Sequence, residues 1–544
     1  MSKGTPYKEA LARFQQVHGT AHELPDTSVD VDALLRDHHP DHLGGSIVDL
    51  EVGANRGERC HRQLADMLQS NARIDEADLA GAKTVETDVL IIGGGGAGCA
   101  AALTAAKEGA RVILTTKLRL GDSNTVMAEG GIQASIDKDD TPQIHYDDTL
   151  RGGHNLADKD LVAKMVLDGP DVIRWLIKQG MQFDVDEFGD LLTRRAGGTT
   201  ADRVVYFRDY TGLEMMRVLR ESVLNREIEV WHYSPAVELL SDEQGHCAGA
   251  VITDLKKRRN VLVKAKSVIM ATGGIGRMHL NAFPTSNHFG ATGDGLVLTY
   301  RLGAQLRDLD SFQYHPSGLA YPHHLAGTLI TEGVRSAGAQ MINAEGQRFV
   351  DELKPRDHVS SAIIRECAEG RGVDAGESGI GIWLDTPGLD LRNPGIINKR
   401  FPKLVQLGKK SGIDPAKTPL LIYPTLHYQN GGVVIDENGQ TTVPNLYCVG
   451  EVSGGLHGKN RMMGNALLEI ISFGRRAGHV AAQSGYQRRH NKVSIAHLGP
   501  MQRDLTLAKM PMDLQGPMLF PDYAKFDSDA EYEGLRKTRN REEE

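Results

Sequence analysis

The stretch TDVLIIGGGGAGCAAALTAAKEGARVILTTK, residues 87–117, decides the fold. Val89 to Ile92 form an apolar run of strand length, and Gly93-x-Gly95-x-x-Gly98 follows at once. The Ala-rich segment 99–108 reads as a helix, and Arg111 to Thr115 reads as a second strand. Strand, glycine turn, helix and strand stand in the order a dinucleotide pyrophosphate requires. The glycines let the backbone approach, and the helix N-terminus offers unpaired N–H groups. A lone GxGxxG is a weak signal, and a plain βαβ unit is the bland alternative. Here the whole structural context is present.

The second strand ends in Thr115-Thr116-Lys117, not in the acidic residue expected to hold an NAD ribose. Two later stretches complete a flavin-type pattern. SVIMATGGIGR (267–277) is a strand running into a Gly-rich turn, and VPNLYCVGEV (443–452) is a strand ending in Gly450-Glu451. That acid can meet a ribityl or ribose hydroxyl. FAD is therefore the expected cofactor, with Gly93, Gly95, Gly98, Thr116, Lys117, Gly273 and Glu451 as candidate ligands.

The bulk numbers narrow the class. At 544 residues the chain can hold two or three domains, and 40% hydrophobic with 24% charged residues is ordinary for a globular protein. A net charge of −9 argues against a general nucleic-acid binder. No apolar run reaches the length of a membrane span, and the opening MSKGTPYKEALARF lacks an apolar signal core, so the cytoplasm is the expected address. Cys60, Cys99, Cys247, Cys367 and Cys448 are scattered, which argues against a disulfide framework, a zinc site or an iron–sulfur cluster. His38, His39 and His42 in DHHPDHLGG read as a solvated loop; no metal site is expected. ERCHRQLADMLQSNARIDEADLAG (58–81) reads as a polar helix.

GGLHGKNRMMGNALLE (454–469) sets His457, Lys459, Asn460 and Arg461 among glycines just before a helical apolar run, as a loop holding an anion would. Further stretches are ATGDGLVLTYRLGA (291–304), SFQYHPSG (311–318), LITEGVR (329–335), RFVDELKPRDHVSSA (348–362) and LHYQNGG (426–432). With these the chain resembles the flavoprotein subunits of fumarate reductase and succinate dehydrogenase, and their relative L-aspartate oxidase. The resemblance runs in order over about residues 86–485.

The resemblance implies an α/β fold: a discontinuous Rossmann-like FAD-binding domain (86–310 and 425–490) with an inserted α+β capping domain (311–424). An N-terminal extension (1–85), helical in part, and a C-terminal tail (491–544) complete the chain. It implies reduction of the C=C bond of fumarate or a related unsaturated dicarboxylate, with hydride from flavin N5 and a proton from Arg356. Glu332 and Arg335 would return the proton. His427 and Arg461 would hold one carboxylate, and His315 and the Thr331 hydroxyl the other, with Gly130-Gly131 nearby. Asn124, Thr125, Asp294, Asn465 and Leu467 join the FAD ligands. An iron–sulfur subunit is the implied electron donor, giving a cytoplasmic protein held at a membrane, if at all, through that partner. The alternatives are amino-acid oxidation of the L-aspartate oxidase type, or a flavin relay or scaffold subunit.

Four departures qualify the resemblance. Asn124 stands where a covalent flavin histidine is usual, so FAD should be noncovalent and succinate oxidation poor. Ala196 in LLTRRAGG replaces the family's Phe or Glu, which suggests a roomier pocket or local repacking. Gln429-Asn430 and Lys459 suggest extra polarity near the clamp. The C-terminal helical domain of the larger reductases is largely missing, and the chain closes on the polar RKTRNREEE.

Overall fold

A computed structural model describes residues 4–18, 23 and 30–521. RKTRNREEE (536–544) lies outside these residues. The strand read at 89–92 is the end of a longer one, Lys83–Ile92, at the centre of a seven-stranded sheet. Val112–Thr115 and Arg259–Met270 flank it, both parallel to it. Glu229–Trp231 extends the first edge, and Leu446–Cys448 pairs in parallel with residues 268–270. Cys247–Asp254 and Ala236–Ser241 finish the sheet as antiparallel strands.

The unbroken Val, Leu and Ile of residues 89–92 follow from burial on both faces at this end of the strand. One face is covered by helix Gly96–Lys107, against which helix Asn465–Gly485 packs. Their contact depends on small residues: a Cβ at Gly474 or Gly478 would collide with the backbone oxygens of Ala97 or Ala101. The parallel strands all end on one side. Four turns leave there, at Gly93, Thr116, Ala271 and Val449, where an open α/β sheet binds its ligand.

A second sheet holds, in order, Thr5–Pro6, Val373–Asp374, Ile380–Asp385, Leu420–Gln429 and Phe312–Leu319. Gln340–Ile342 pairs with Ile380–Asp385 at its side. Helix Arg356–Ala368 covers this sheet. Strand Leu420–Gln429 runs across the division drawn at 424/425, carrying the chain from the cap into the flavin half.

The N-terminal segment touches both halves. Thr5–Pro6 extends the cap sheet, helix Val31–His38 packs on helix Arg356–Ala368, and Asn55 bonds Ala304 and Leu306 beside the flavin half. Residues 58–81 form a short helix, Arg62–Leu68, whose Leu64, Ala65 and Leu68 are buried, so the single polar helix expected there is corrected. His39 is likewise buried rather than solvated; its ring stands edge-on to Tyr314. Among the described residues no group of His, Cys, Asp or Glu could hold a metal ion, and no helix is long and apolar enough to cross a membrane.

Candidate active site

A cavity lies at the carboxyl ends of the parallel strands and reaches under the cap. Its lining runs from the glycine turn at Gly93 to Arg356 and Arg461, so an elongated ligand can lie along it with a second, smaller one at the far end.

Its first part is built for a dinucleotide. Gly93, Gly94, Gly95 and Gly96 line it at the start of helix Gly96–Lys107. Gly93 has φ +123°, and a Cβ there would strike the Ala271 carbonyl. Gly98 does not line the cavity; it lets the helix lie against the Gly93 carbonyl. Thr125 lines the cavity and accepts from Gly96 N at 3.2 Å. Thr116, Lys117, Gly273 and Asp294 line it as well. Lys117 is largely committed: its ammonium donates to Thr292 Oγ1 and Asp294 Oδ2, each at 2.7 Å, and to the Leu519 carbonyl at 2.6 Å. Residues 519–520 thus brace the wall at this end, a contact the sequence did not reveal.

Toward the middle, Glu451 is buried, and burial pushes its carboxyl up to about 7. It accepts from Gln429 N at 3.0 Å and Asn124 Nδ2 at 3.2 Å. Asn124 also donates to Asn287 Oδ1 at 2.7 Å and accepts from His288 N at 2.6 Å. Leu467 lines the cavity; Asn465 does not. Asn465 is fully buried one turn below, bonded to His145 and Thr149, and fixes the helix that follows Gly464. The glycine cradle, the helix N-terminus and a buried carboxyl suited to a hydroxyl all fit FAD.

The far end is a cluster of cations. Arg356 begins helix Arg356–Ala368; its Nε donates to Glu332 Oε2 at 2.8 Å and its NH1 to Gln313 Oε1 at 3.0 Å. Glu332 Oε2 also accepts from Arg335 NH2 at 3.1 Å, while Oε1 accepts from Gly197 N at 2.8 Å. Burial would raise the Glu332 carboxyl, but Arg356 and Arg335 override it and hold it at about 2. Arg335 itself lies behind the cavity wall. Arg461 lines the cavity with its guanidinium 4.5 Å from the Tyr428 ring centroid. Burial, then Arg356, lower it to about 10.

His315 and His427 face each other with ring centroids 5.1 Å apart. Burial, then Arg356, push both well below the ordinary imidazole range, so both are neutral. Ser317 N donates to His315 Nδ1 at 3.1 Å, which leaves the ring proton on Nε2. Thr331 caps helix Glu332–Ser336 and lines the cavity. Gly130 and Gly131 line it opposite; Gly131 has φ +123° and no room for a Cβ beside Val204.

Gln313 is a residue the sequence did not single out. Its Oε1 takes Arg356, and its Nε2 donates to the Arg461 carbonyl at 2.6 Å and to Asn460 Oδ1 at 2.9 Å. Glu129 is another: it lines the cavity, and its Oε1 meets Lys403 Nζ from the cap at 2.7 Å.

One expectation about the pocket is narrowed and one is corrected. Ala196 does not line the cavity; it is buried against Val204 and Met463, and Met463 supplies the wall. Of the two readings of Ala196, this packing favours local repacking over a roomier pocket. Gln429, Asn430 and Lys459 do not line the cavity either. Gln429 donates to the Gly431 carbonyl, Asn430 to Ser311 Oγ and the Lys459 carbonyl, and Lys459 pairs with Asp310 at 2.6 Å. Their polarity holds loops together.

The FAD binding domain family matches residues 88–467. A fumarate reductase (CoM/CoB) subunit of Methanothermobacter marburgensis is 40% identical over 423 residues, covering 75% of each chain. L-aspartate oxidase of Streptomyces coelicolor is 36% identical, covering 75% of this chain and 71% of its own. Among solved structures, E. coli quinol fumarate reductase superposes with a TM-score of 0.70 at 32% identity, covering 78% of this chain and 74% of that one. The glycine cradle and the arginine cluster both fall inside the matched span, so the cofactor is FAD and the chain belongs to the family of FAD-dependent oxidoreductases that includes the flavoprotein subunits of fumarate reductase and succinate dehydrogenase.

Proposed function

We propose that this chain reduces the C=C bond of fumarate or a closely related unsaturated dicarboxylate, with Arg356 as proton donor. One observation carries the reading: Arg335 and Arg356 share a single buried carboxylate, Glu332, and Arg461 stands close by in the same cavity lining as Arg356. Arg356 and Arg461 thus present guanidinium charge to the cavity, and a dicarboxylate brings the negative charge that matches it. His427 and Arg461 bind one carboxylate, and His315 and Thr331 the other. Neutral imidazoles donate to these groups without adding charge, and the Arg461 fork fixes the orientation of its partner. FAD bound alongside supplies the hydride to one alkene carbon. Arg356 delivers a proton to the other carbon, and Glu332, bonded to both Arg356 and Arg335, supports a relay that replaces it.

FAD is held noncovalently in this reading, because the Asn124 amide is no nucleophile and both its donors are engaged. Electrons come from an iron–sulfur partner, in keeping with relatives named as subunits. A membrane association, if the assembly has one, runs through that partner.

The test is anaerobic. Flavin reduced with dithionite should be reoxidised rapidly by fumarate, and Arg356→Ala should slow this by roughly 100- to 10,000-fold. Flavin reduction by L-aspartate without response to fumarate would instead support the oxidase reading. An assembly whose activity survives Arg356→Ala would mark a relay subunit.

A further inference from the structure

Helix Pro142–Gly152 ends in the turn Gly152-Gly153-His154-Asn155, which lies against the loop carrying Arg461. Asn460 Nδ2 donates to the Gly152 carbonyl at 2.9 Å, and Lys459 N donates to the Gly153 carbonyl at 3.3 Å. No Cβ fits at Gly153 or at Gly458, because each would meet the other strand's backbone. Turn and loop are therefore one packed unit.

The turn then holds two successive non-glycine residues in the left-handed region, His154 at φ 60° and Asn155 at φ 58°, an uncommon arrangement for L-residues. It brings the His154 ring to the cap, where Nε2 lies 2.5 Å from Asp357 Oδ2. Asp357 is buried, directly follows Arg356, and sits in the first turn of helix Arg356–Ala368. That helix is thus tied to the Arg461 loop twice. The inner tie runs from the Arg356 guanidinium through the Gln313 amide, which does not titrate; the outer one is an ion pair when His154 is protonated.

We propose that His154 is a positioning residue that sets the span between Arg356 and Arg461 by holding Asp357. The proposal rests on the role given above to Arg356. A proton donor and an anion clamp on separate elements must be held to within a fraction of an ångström, so loosening one tie lowers the rate more than it weakens binding.

The charges facing His154 are few. Asp357 raises its pKa above the ordinary 6.5, chiefly through the hydrogen bond and against burial, and Asp32 from helix Val31–His38 adds to this. His39, also near, is kept neutral by burial at about 4. Arg151 on the same helix is paired with Asp148. A raised histidine pKa means the ion pair is complete below about 6.5 and is lost as pH rises through the higher folded value.

The experiment uses the FAD-loaded full chain. In wild type the limiting rate of fumarate-driven reoxidation should fall about tenfold through that alkaline step, with half-saturation nearly unchanged. His154→Ala should show the low rate at every pH. His154→Lys keeps a cation beside Asp357 and should restore the rate and remove the step. Amide hydrogen exchange over residues 356–368 gives a readout independent of substrate: about tenfold faster in His154→Ala at low pH, and in wild type only above the step. If wild-type flavin ignores fumarate, the reductase reading fails while exchange still decides the role of His154. Unchanged exchange in His154→Ala, or an unchanged limiting rate in an enzyme that does respond to fumarate, overturns the proposal. Should His154→Ala not fold, Asp357→Asn and His154→Lys carry the same comparison.

Discussion

Two buried clusters of charge in this chain are built to opposite ends. Arg203, with no exposed surface, meets Asp140 through Nε at 2.8 Å and Asp148 through NH1 at 2.7 Å, and Asp148 also takes Thr200 and Arg151. Charges balance there and donors are spent. Around Glu332 the donors are not all spent: Arg335 and Arg356 share its carboxylate, and Nε of the neighbouring Arg461 has no partner. Burial makes unpaired donors costly, so a site that keeps them must recover the cost when a ligand binds. A closed cluster serves the fold; in the proposed reading the open one serves an anion.

That contrast can be broken by substitution. Arg203→Ala strands the buried Asp140 carboxylate, leaves Asp148 to Arg151 and Thr200, and should cost about 3–5 kcal/mol in chemical denaturation. Retained stability would mean that water already enters the cluster. Glu332→Gln tests the open cluster through pH. The Glu332 carboxyl stands at about 2 against an ordinary 4.5, so its stabilisation is complete above pH 4.5 and lost as pH falls through about 2. The variant should flatten the acid limb of Tm between those values. Arg461→Lys keeps the charge but loses the fork, and should raise half-saturation by fumarate about tenfold with little change in fold stability. Lys459→Ala removes a partly exposed pair with Asp310 next to the clamp and should cost under about 1 kcal/mol, with fumarate saturation unmoved.

The flavin half was the more legible part in the sequence because its signal is local. Val89 to Ile92, the glycines and the Ala-rich helix are contiguous, so spacing alone orders them. The arginines and histidines of the far end were found through the resemblance, since His315, Arg356, His427 and Arg461 come from separate elements. What neither route supplied is pairing at long range. His154 and Asp357 are 203 positions apart, and Lys117 and Leu519 are 402 apart; no periodicity reports on either. Ala196 left two readings open for a related reason. A small residue in sequence implies space, whereas in the fold Met463 closes over it. Lys459 misled because side-chain polarity says nothing about direction, and its ammonium points away to Asp310.

The order of strands in the main sheet has a consequence for how the protein is made. Leu446–Cys448 pairs with residues 268–270, and the turn after it contributes Gly450 and Glu451 to a cavity begun at Gly93. A ribosome-bound chain that has emerged only to residue 440 carries the glycine turn but not the opposite wall, the helix at Asn465 or the brace at Leu519. Cofactor capture is therefore a late event in synthesis. Until then the end of Arg259–Met270 lacks its partner strand and helix Gly96–Lys107 lacks the helix that packs on it, and these apolar surfaces must be sheltered from other chains for most of translation.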